Sequence, residues 1–262
     1  MPYATIEDSV SLYYRVEGEG VPIVFIHPPV LGYKVFKHQE KLAHSWQTIF
    51  YDLRGHGQSS RGNTSLSIDL LANDLKKLLD KIGISKAVIC GFSNGGTIAQ
   101  EFALLYPEHT SALILSGGYP KVDHLSLKSK VYFGMVMAKL RRIPTVAKMQ
   151  AKTHKYFERD EQELFDYAKK ADGEKVYEYC KAGLHYNATP FLHRLTMPIL
   201  LIYGDLEKTM HRHRKPYLKA ARNVEVIYVK GISHEVPPKK FPEFNEIVHN
   251  FLQKNKQAGF LD

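Results

Sequence analysis

The sequence has few cysteines and no long apolar segment. Only Cys90 and Cys180 occur among the 262 residues, so a reducing environment is expected and a disulfide framework is not. Cys90 ends an apolar run and is interpreted as a packed free thiol. No apolar stretch approaches the ~20 residues that span a bilayer. The opening MPYATIEDSV lacks the basic and apolar regions of a signal peptide. We therefore expect a cytoplasmic protein with no membrane partner.

Motifs for cofactors and nucleic acids are also missing. There is no H-E-x-x-H zinc pattern and no Walker A loop, so neither a metal nor a cofactor is expected. A formal net charge of +9 favours contact with phosphates, but the lysines and arginines are spread along the chain. The densest basic patches, KLRRIP and HRHRK, are interpreted as solvated faces, and no nucleic-acid partner is expected. The sequence does not indicate an oligomeric state.

Short apolar runs alternate with amphipathic segments through most of the chain. Leucines at helical spacing between residues 68 and 82 predict a helix that ends at Gly83. The alternation predicts the α/β class, with a mostly parallel sheet of about eight strands and helices on both faces. Runs rich in β-branched and aromatic residues, which predict strands, occur at 11–16, 22–27, 47–53, 87–92, 111–117, 198–204 and 224–231.

The alternation stops between residues 118 and 194, where only helical segments are found. We interpret residues 1–117 and 195–262 as the core and residues 118–194 as a helical cap on the carboxyl edge of the sheet. One cap segment, VYFGMVMAKL (131–140), is rich in aromatic residues and methionine. It either lines an apolar pocket or packs a helix onto its neighbours.

Residues 90–96, CGFSNGG, place a serine among glycines at a predicted strand-to-helix turn. Gly91 and Gly95 let neighbouring backbone pass close by, and the crowded turn predicts an unfavourable backbone conformation for Ser93. The helix that follows presents free N–H groups and a partial positive charge, which suit a developing oxyanion. The Asn94 N–H is the natural first donor.

Three motifs resemble the α/β-hydrolase superfamily, over nearly the whole chain outside the cap. GFSNGG resembles its nucleophile elbow, YDLRGHGQS its D-x-R-G-x-G-x-S loop, and GISHEVPPKKFPEFNEIVHNFL its histidine loop and last helix. The resemblance implies a serine hydrolase with a helical cap. Members that are dehalogenases or epoxide hydrolases carry aspartate where this chain has Ser93.

A serine nucleophile needs a base and an orienting carboxylate. The resemblance implies the chain order serine, acid, histidine, and His234, in a loop before the last helix, is the candidate base. For the acid, the family's usual position is three residues past the strand-ending Gly204, which is Glu207. Asp205 is the alternative, although it also suits a role in the turn, and an acid near Asp123 is a third.

The second oxyanion donor is expected from the loop that follows the strand 22–27. The family has His-Gly there, whereas this chain has His27-Pro28-Pro29, and proline carries no N–H. Val30 is the candidate substitute donor; a side chain or a water is the alternative. We expect His27, and Asp52 or Arg54 in the neighbouring loop, to hold the loops by hydrogen bonds.

The leading hypothesis is a serine hydrolase that cleaves a carboxylic ester, thioester or similar acyl bond of a small-molecule substrate. Two alternatives remain open at this point. One is a carbon–carbon bond hydrolase or a cofactor-free lyase, because fold alone does not decide between these activities. The other is a slow-turnover small-molecule receptor or signalling protein, which the proline-bearing loop favours.

Overall fold

The computed structural model of the protein describes residues 2–261. Its centre is one eight-stranded sheet with the order β1-β2-β4-β3-β5-β6-β7-β8. The strands β3 to β8 run parallel to one another, whereas β1 and β2 pair antiparallel at one edge. The strands are β1 (Tyr3–Glu7), β2 (Val10–Glu17), β3 (Pro22–Ile26), β4 (Gln47–Tyr51), β5 (Ala87–Phe92), β6 (Thr110–Ser116), β7 (Ile199–Gly204) and β8 (Val224–Val229).

The predicted strands are all present, and one strand was not predicted. Every residue of β5, β6 and β7 is buried, as expected of strands that helices cover on both faces. The edge strand β1 (YATIE) is short and alternates exposed with buried residues. It therefore lacks the continuous apolar run by which the other strands were predicted. Four strands end one or two residues before their predicted ends, because the chain there has already turned into the loops at the sheet's carboxyl edge.

Helices cover both faces of this sheet. One face packs against α1, α2 and α7, and the other against α8, α9 and a 3₁₀ segment at Tyr33–His44. No helix formed by residues 2–261 is long and apolar enough to cross a bilayer. The α-helices are α1 (Ile68–Lys81), α2 (Gly95–Leu105), α3 (Leu125–Lys139), α4 (Ile143–His154), α5 (Glu158–Ala168), α6 (Gly173–His185), α7 (Arg214–Ala220), α8 (Val236–Lys239) and α9 (Phe241–Gln257).

The helices α3 to α6 form the helical cap, which is inserted between β6 and β7. Within it, α3 packs against α6 and α4 against α5. Lys121 and Asn187 pair in an isolated antiparallel bridge where the chain enters and leaves this insertion. Met135, Ala138 and other buried cap residues join the same apolar cluster as Phe25 and Phe92 of the sheet. The cap is therefore packed on the carboxyl edge of the sheet, where loops from several strands meet.

Candidate active site

Ser93 occupies a sharp turn between β5 and α2. Its φ is +53°, a left-handed conformation that non-glycine residues rarely adopt. A Cβ on Gly95 would collide with the carbonyl oxygen of Ile26, and one on Gly91 would lie 2.6 Å from the Cα of Gly96. The turn therefore requires small residues on both sides of the serine, as the sequence predicted. The resulting backbone places Ser93 on the cavity side of the sheet edge.

Ser93, His234 and Glu207 form a continuous chain of hydrogen bonds. The Ser93 Oγ lies 2.7 Å from His234 Nε2, and His234 Nδ1 lies 2.7 Å from Glu207 Oε2. The carboxylate can only accept, so Nδ1–H donates to Glu207, and Nε2 is left to accept the serine proton. The three side chains come from the loops after β5, β7 and β8. Residues up to 141 positions apart in sequence thus meet at one edge of the sheet.

The Glu207 carboxylate is nearly buried, with 9% of its side chain exposed. Burial acts to raise the pKa of this carboxyl, but hydrogen bonds and charge from His234 and Lys130 outweigh it and lower the pKa to about 2. Lys130 belongs to the cap helix α3, and its Nζ donates to Glu207 Oε1 at 2.8 Å. Each carboxylate oxygen thus has its own partner, one from the β8 loop and one from the cap.

The two alternative acids lie elsewhere. Asp205 accepts a hydrogen bond from the Gly231 N–H at 2.8 Å. This bond links the loop after β7 to the turn after β8, which agrees with the role in a turn that the sequence suggested for Asp205. Asp123 lies 3.9 Å from His213 Nδ1. Neither carboxylate makes a hydrogen bond to His234, whose Nδ1 is engaged by Glu207.

The backbone N–H groups of Asn94 and Val30 have no acceptor among residues 2–261. Both residues line the same cavity as the serine. Val30 has a φ of +77° although it is β-branched, a conformation that costs about 1–3 kcal/mol and tends to occur at functional sites. Pro28 and Pro29 precede it without N–H groups of their own. The proline loop therefore leaves a free amide one residue later than the family pattern has it.

Buried polar residues hold these loops in place. The His27 Nδ1–H donates to the Pro28 carbonyl at 2.8 Å, and its Nε2 accepts from the Leu53 N–H at 3.0 Å. Burial lowers the pKa of His27 well below its usual value, so the ring stays neutral and keeps this donor–acceptor pattern. Asp52 accepts from the N–H groups of Tyr33 and Gln58. These contacts confirm the anchoring that the sequence predicted for His27 and Asp52.

The hydrogen-bonded chain opens onto a cavity of about 580 Å³ between the sheet edge and the cap. Apolar residues dominate its walls, including Leu127, Val131, Val146 and Phe92. Part of the segment VYFGMVMAKL lines this cavity, part is buried in the apolar cluster of the sheet, and part is exposed to solvent. Within residues 2–261, no three histidine, cysteine or carboxylate side chains are grouped as metal ligands.

A second histidine, His154 of α4, also lines this cavity. Burial lowers its pKa to about 4, although the charge of Glu235 and the carbonyl of Gln150 oppose that effect. Its Nδ1 lies 2.8 Å from the Gln150 carbonyl oxygen. At neutral pH the ring is therefore uncharged, with Nδ1–H as the donor and Nε2 as a free acceptor.

Three site residues were not predicted from the sequence: Lys130, His154 and Tyr119. Tyr119 donates its hydroxyl to the Asn94 side-chain oxygen at 2.8 Å and so fixes the residue next to Ser93. All three lie in the segment 118–194, where no strand pattern is found and the positions of side chains in space therefore could not be predicted. The lack of any acidic residue around Lys130 on its own helix was the one available signal that its partner lies elsewhere.

The family model of the alpha/beta hydrolase fold matches residues 22–236. The chain belongs to the alpha/beta hydrolase family. This α/β hydrolase is 27% identical over 202 residues to 3-oxoadipate enol-lactonase 2 from Acinetobacter baylyi, across 74% of this chain and 75% of that protein. It is 36% identical over 102 residues to the AB hydrolase superfamily protein YisY from Bacillus subtilis, across 38% of each.

Solved structures share the fold of this α/β hydrolase over almost its full length. An esterase from Exiguobacterium antarcticum superimposes with a TM-score of 0.85 and 19% identity, across 96% of this chain and 98% of that chain. At that identity the likeness concerns the fold alone. Two curated relatives match over only 46% and 38% of their own lengths.

Proposed function

We propose that this α/β hydrolase cleaves a carboxylic ester, thioester or similar acyl bond through Ser93, His234 and Glu207. The observation that carries the proposal is the chain of two 2.7 Å hydrogen bonds from Ser93 Oγ to Glu207, at a cavity large enough for a small molecule. A serine hydroxyl is a weak nucleophile until a base removes its proton. The two contacts supply that base and the carboxylate that orients it.

In the first half-reaction, Ser93 Oγ attacks the acyl carbon while its proton moves to His234 Nε2. The new C–O bond converts the carbonyl to a tetrahedral oxyanion, and the imidazole becomes a cation. Glu207 stabilises that cation through the bond at Nδ1, and it stays ionised because of its lowered pKa. When the intermediate collapses, His234 returns the proton to the leaving oxygen or sulfur, and an acyl-enzyme remains on Ser93.

The oxyanion is held by the N–H groups of Asn94 and Val30. Asn94 is the N-cap of α2, so the positive end of the helix adds to its donor strength. Val30 replaces the donor that the prolines remove, and its strained φ is the local cost of presenting that amide.

In the second half-reaction, water replaces the leaving group. His234 Nε2 takes a proton from the water as its oxygen attacks the acyl carbon, and the proton then passes to Ser93 Oγ as the acyl-enzyme bond breaks. A carboxylic acid is released, and serine and histidine recover their starting states.

The walls of the cavity expose mainly apolar surface, which favours an acyl group of mainly hydrocarbon character. One relative is named for an enol-lactone, which is a cyclic ester. That name supports an ester bond as the target.

The test is hydrolysis of nitrophenyl esters of increasing acyl length by the wild type and by Ser93→Ala. We expect turnover by the wild type and a loss of at least about 10⁴-fold in kcat for the variant. A fluorophosphonate probe should label the wild type rapidly and the variant not at all. An unlabelled wild type would instead favour a receptor. Cleavage of a vinylogous diketone without any ester hydrolysis would indicate a carbon–carbon hydrolase.

A further inference from the structure

One segment of the cap is strongly basic. Residues 124–157 contain eight lysines and arginines and no aspartate or glutamate, against a net charge of +9 for the whole chain. Lys130 pairs with Glu207, and Lys155 pairs with Glu158 and Glu161. The remaining six form no ion pair with any carboxylate among residues 2–261; they are Lys128, Lys139, Arg141, Arg142, Lys148 and Lys152.

The same part of the cap exposes a row of large apolar side chains. We call this row the α3 stripe; it consists of Leu125, Tyr132, Phe133, Val136 and Leu140. These positions share one face of the helix, since they recur at helical spacing. Leu125 is 81% exposed and Leu140 is 62% exposed. At 1.5 Å per residue the stripe runs for about 22 Å. Apolar surface arranged in this way on a soluble fold indicates a contact site.

The cations flank the stripe. Projected at 100° per residue, Lys128 and Lys139 fall on one side of it, and Arg141 and Arg142 follow at its C-terminal end. Lys148 and Lys152 of the neighbouring helix α4 are also exposed, as is the apolar Met149 between them. The opposite face of α3 is buried through Leu127, Met135 and Ala138. The exposed apolar ridge and the unpaired cations beside it therefore offer the two components, apolar and cationic, that contact with the surface of an anionic bilayer uses.

We propose that the α3 stripe and its six unpaired cations dock this protein on the surface of an anionic lipid bilayer. The apolar side chains enter the boundary between headgroups and acyl chains, and the cations contact the lipid phosphates and carboxylates. This proposal replaces the expectation, drawn from the sequence, that the protein has no membrane partner. That expectation rested on the absence of a spanning segment, and a surface-bound helix needs none.

Electrostatic repulsion favours a bilayer over a second copy of the chain as the partner of this surface. Two caps placed stripe to stripe would bring twelve like charges together, which opposes association. A nucleic acid would satisfy the cations but would gain little from Leu125, Val136 and Leu140, because its phosphate backbone offers no apolar partner. An anionic bilayer offers acyl chains to the apolar side chains of the α3 stripe and negatively charged headgroups to the cations.

The docking surface also borders the mouth of the candidate active site. Phe133 and Met149 are each about half exposed and also line the cavity that contains Ser93. On a bilayer these two residues lie between the lipid phase and the cavity. The cavity then opens toward the membrane surface.

The test is co-sedimentation of the full chain with vesicles of pure phosphatidylcholine and of phosphatidylcholine with about a third phosphatidylserine. We expect binding to the anionic vesicles only, weakening as salt is raised. The charge variant Lys139→Gln/Arg141→Gln/Arg142→Gln should bind on the order of a hundredfold more weakly, because each cation near such a surface contributes about 1 kcal/mol. The stripe variant Val136→Ser/Leu140→Ser should bind on the order of tenfold more weakly.

Matched controls remove the same number of groups from other elements. Lys215→Gln/Lys219→Gln/Arg222→Gln removes three exposed cations in and after α7, and Leu105→Ser/Leu218→Ser removes two exposed leucines. Both should bind like the wild type. Val136, Leu140 and the three substituted cations do not line the candidate active-site cavity, so ester hydrolysis in solution reports folding independently of vesicle binding.

Three results would overturn the proposal. One is the absence of binding to anionic vesicles by a protein whose unfolding transition is normal. Another is equal weakening by the α7 controls, which would indicate adsorption through net charge alone. The third is a concentration-dependent dimer in solution that the stripe variant abolishes, since the stripe would then be an interface between copies.

Discussion

Two residues at the carboxyl edge of the sheet have strained backbone conformations. Ser93 at φ +53° and Val30 at φ +77° are two of the three non-glycine residues with positive φ among those described. Both lie at the carboxyl end of a central parallel strand and line the same cavity. Strain of this kind persists only where the surrounding packing imposes it. The presence of both residues at the same cavity thus supports the proposed oxyanion site. The sequence alone indicated the Asn94 donor, but it left the second donor open between Val30, a side chain and a water.

Glu207 and Asp205 provide a matched test of the proposed acid. Glu207→Gln should lower kcat by about 10⁴-fold, because an amide in that place disturbs the tautomer and the charge that His234 needs. Asp205→Asn keeps an oxygen that can accept from the Gly231 N–H and should change kcat by less than about tenfold. Steady-state kinetics on a nitrophenyl ester measures both. The reverse ranking would assign the acid to Asp205.

Among the elements, the cap helix α3 is joined to the sheet edge by one polar contact at the candidate site. Lys130 donates to the Glu207 oxygen that His234 does not use. We interpret Lys130 as a positioning residue, because it contacts the acid and not the reacting atoms. Its side chain is 63% exposed, so the pair contributes little to overall stability.

Replacing Lys130 by methionine should separate positioning from folding. Kinetic and urea-unfolding measurements on Lys130→Met should show a several-fold loss of kcat with an unfolding free energy within about 0.5 kcal/mol of the wild type. Lys130→Arg should restore most of the activity, since it keeps a cationic donor. The control Lys128→Met, on the same helix and also exposed, should leave kcat unchanged. Equal losses in the two methionine variants would contradict the positioning role.

The sequence predicted most of the core elements and very little of the cap. The buried parallel strands have continuous apolar runs, and the turn around Ser93 has glycines at positions that tolerate no Cβ. The cap helices lack such constraints: α3 is apolar around most of its circumference, so periodicity did not show which face would be buried. The contact from Lys130 to Glu207 spans 77 positions. It follows from where the helix lies relative to the loop after β7, which no local pattern encodes.

For the whole molecule, the lowered pKa of Glu207 predicts a pH dependence of stability. The ordinary value is 4.5 and the folded value is about 2. Because the folded pKa lies below the unfolded one, the ionised carboxylate stabilises the fold above pH 4.5, and this contribution disappears as the pH falls toward 2. Its size is on the order of 3 kcal/mol.

Urea unfolding of the wild type and of Glu207→Gln between pH 2.5 and 7 tests this dependence. The other titratable groups occur in both proteins, so the difference between the two unfolding free energies reports the Glu207 charge together with its contacts to His234 and Lys130. We expect that difference to shrink steadily as the pH falls below about 5. A difference that does not vary across the range would show that Glu207 has an ordinary pKa.

The bridge between Lys121 and Asn187 gives the molecule a modular construction. The chain enters and leaves the cap at adjacent points, so the intervening helices can lengthen, shorten or be exchanged without moving any strand of the sheet. A foreign cap grafted between these two residues would leave Ser93, His234 and Glu207 in the core, would replace the Lys130 contact to Glu207, and would bring its own cavity walls and outer surface. In such a protein, the substrate preference and the docking surface can change during evolution while the residues that cleave the acyl bond stay in the core.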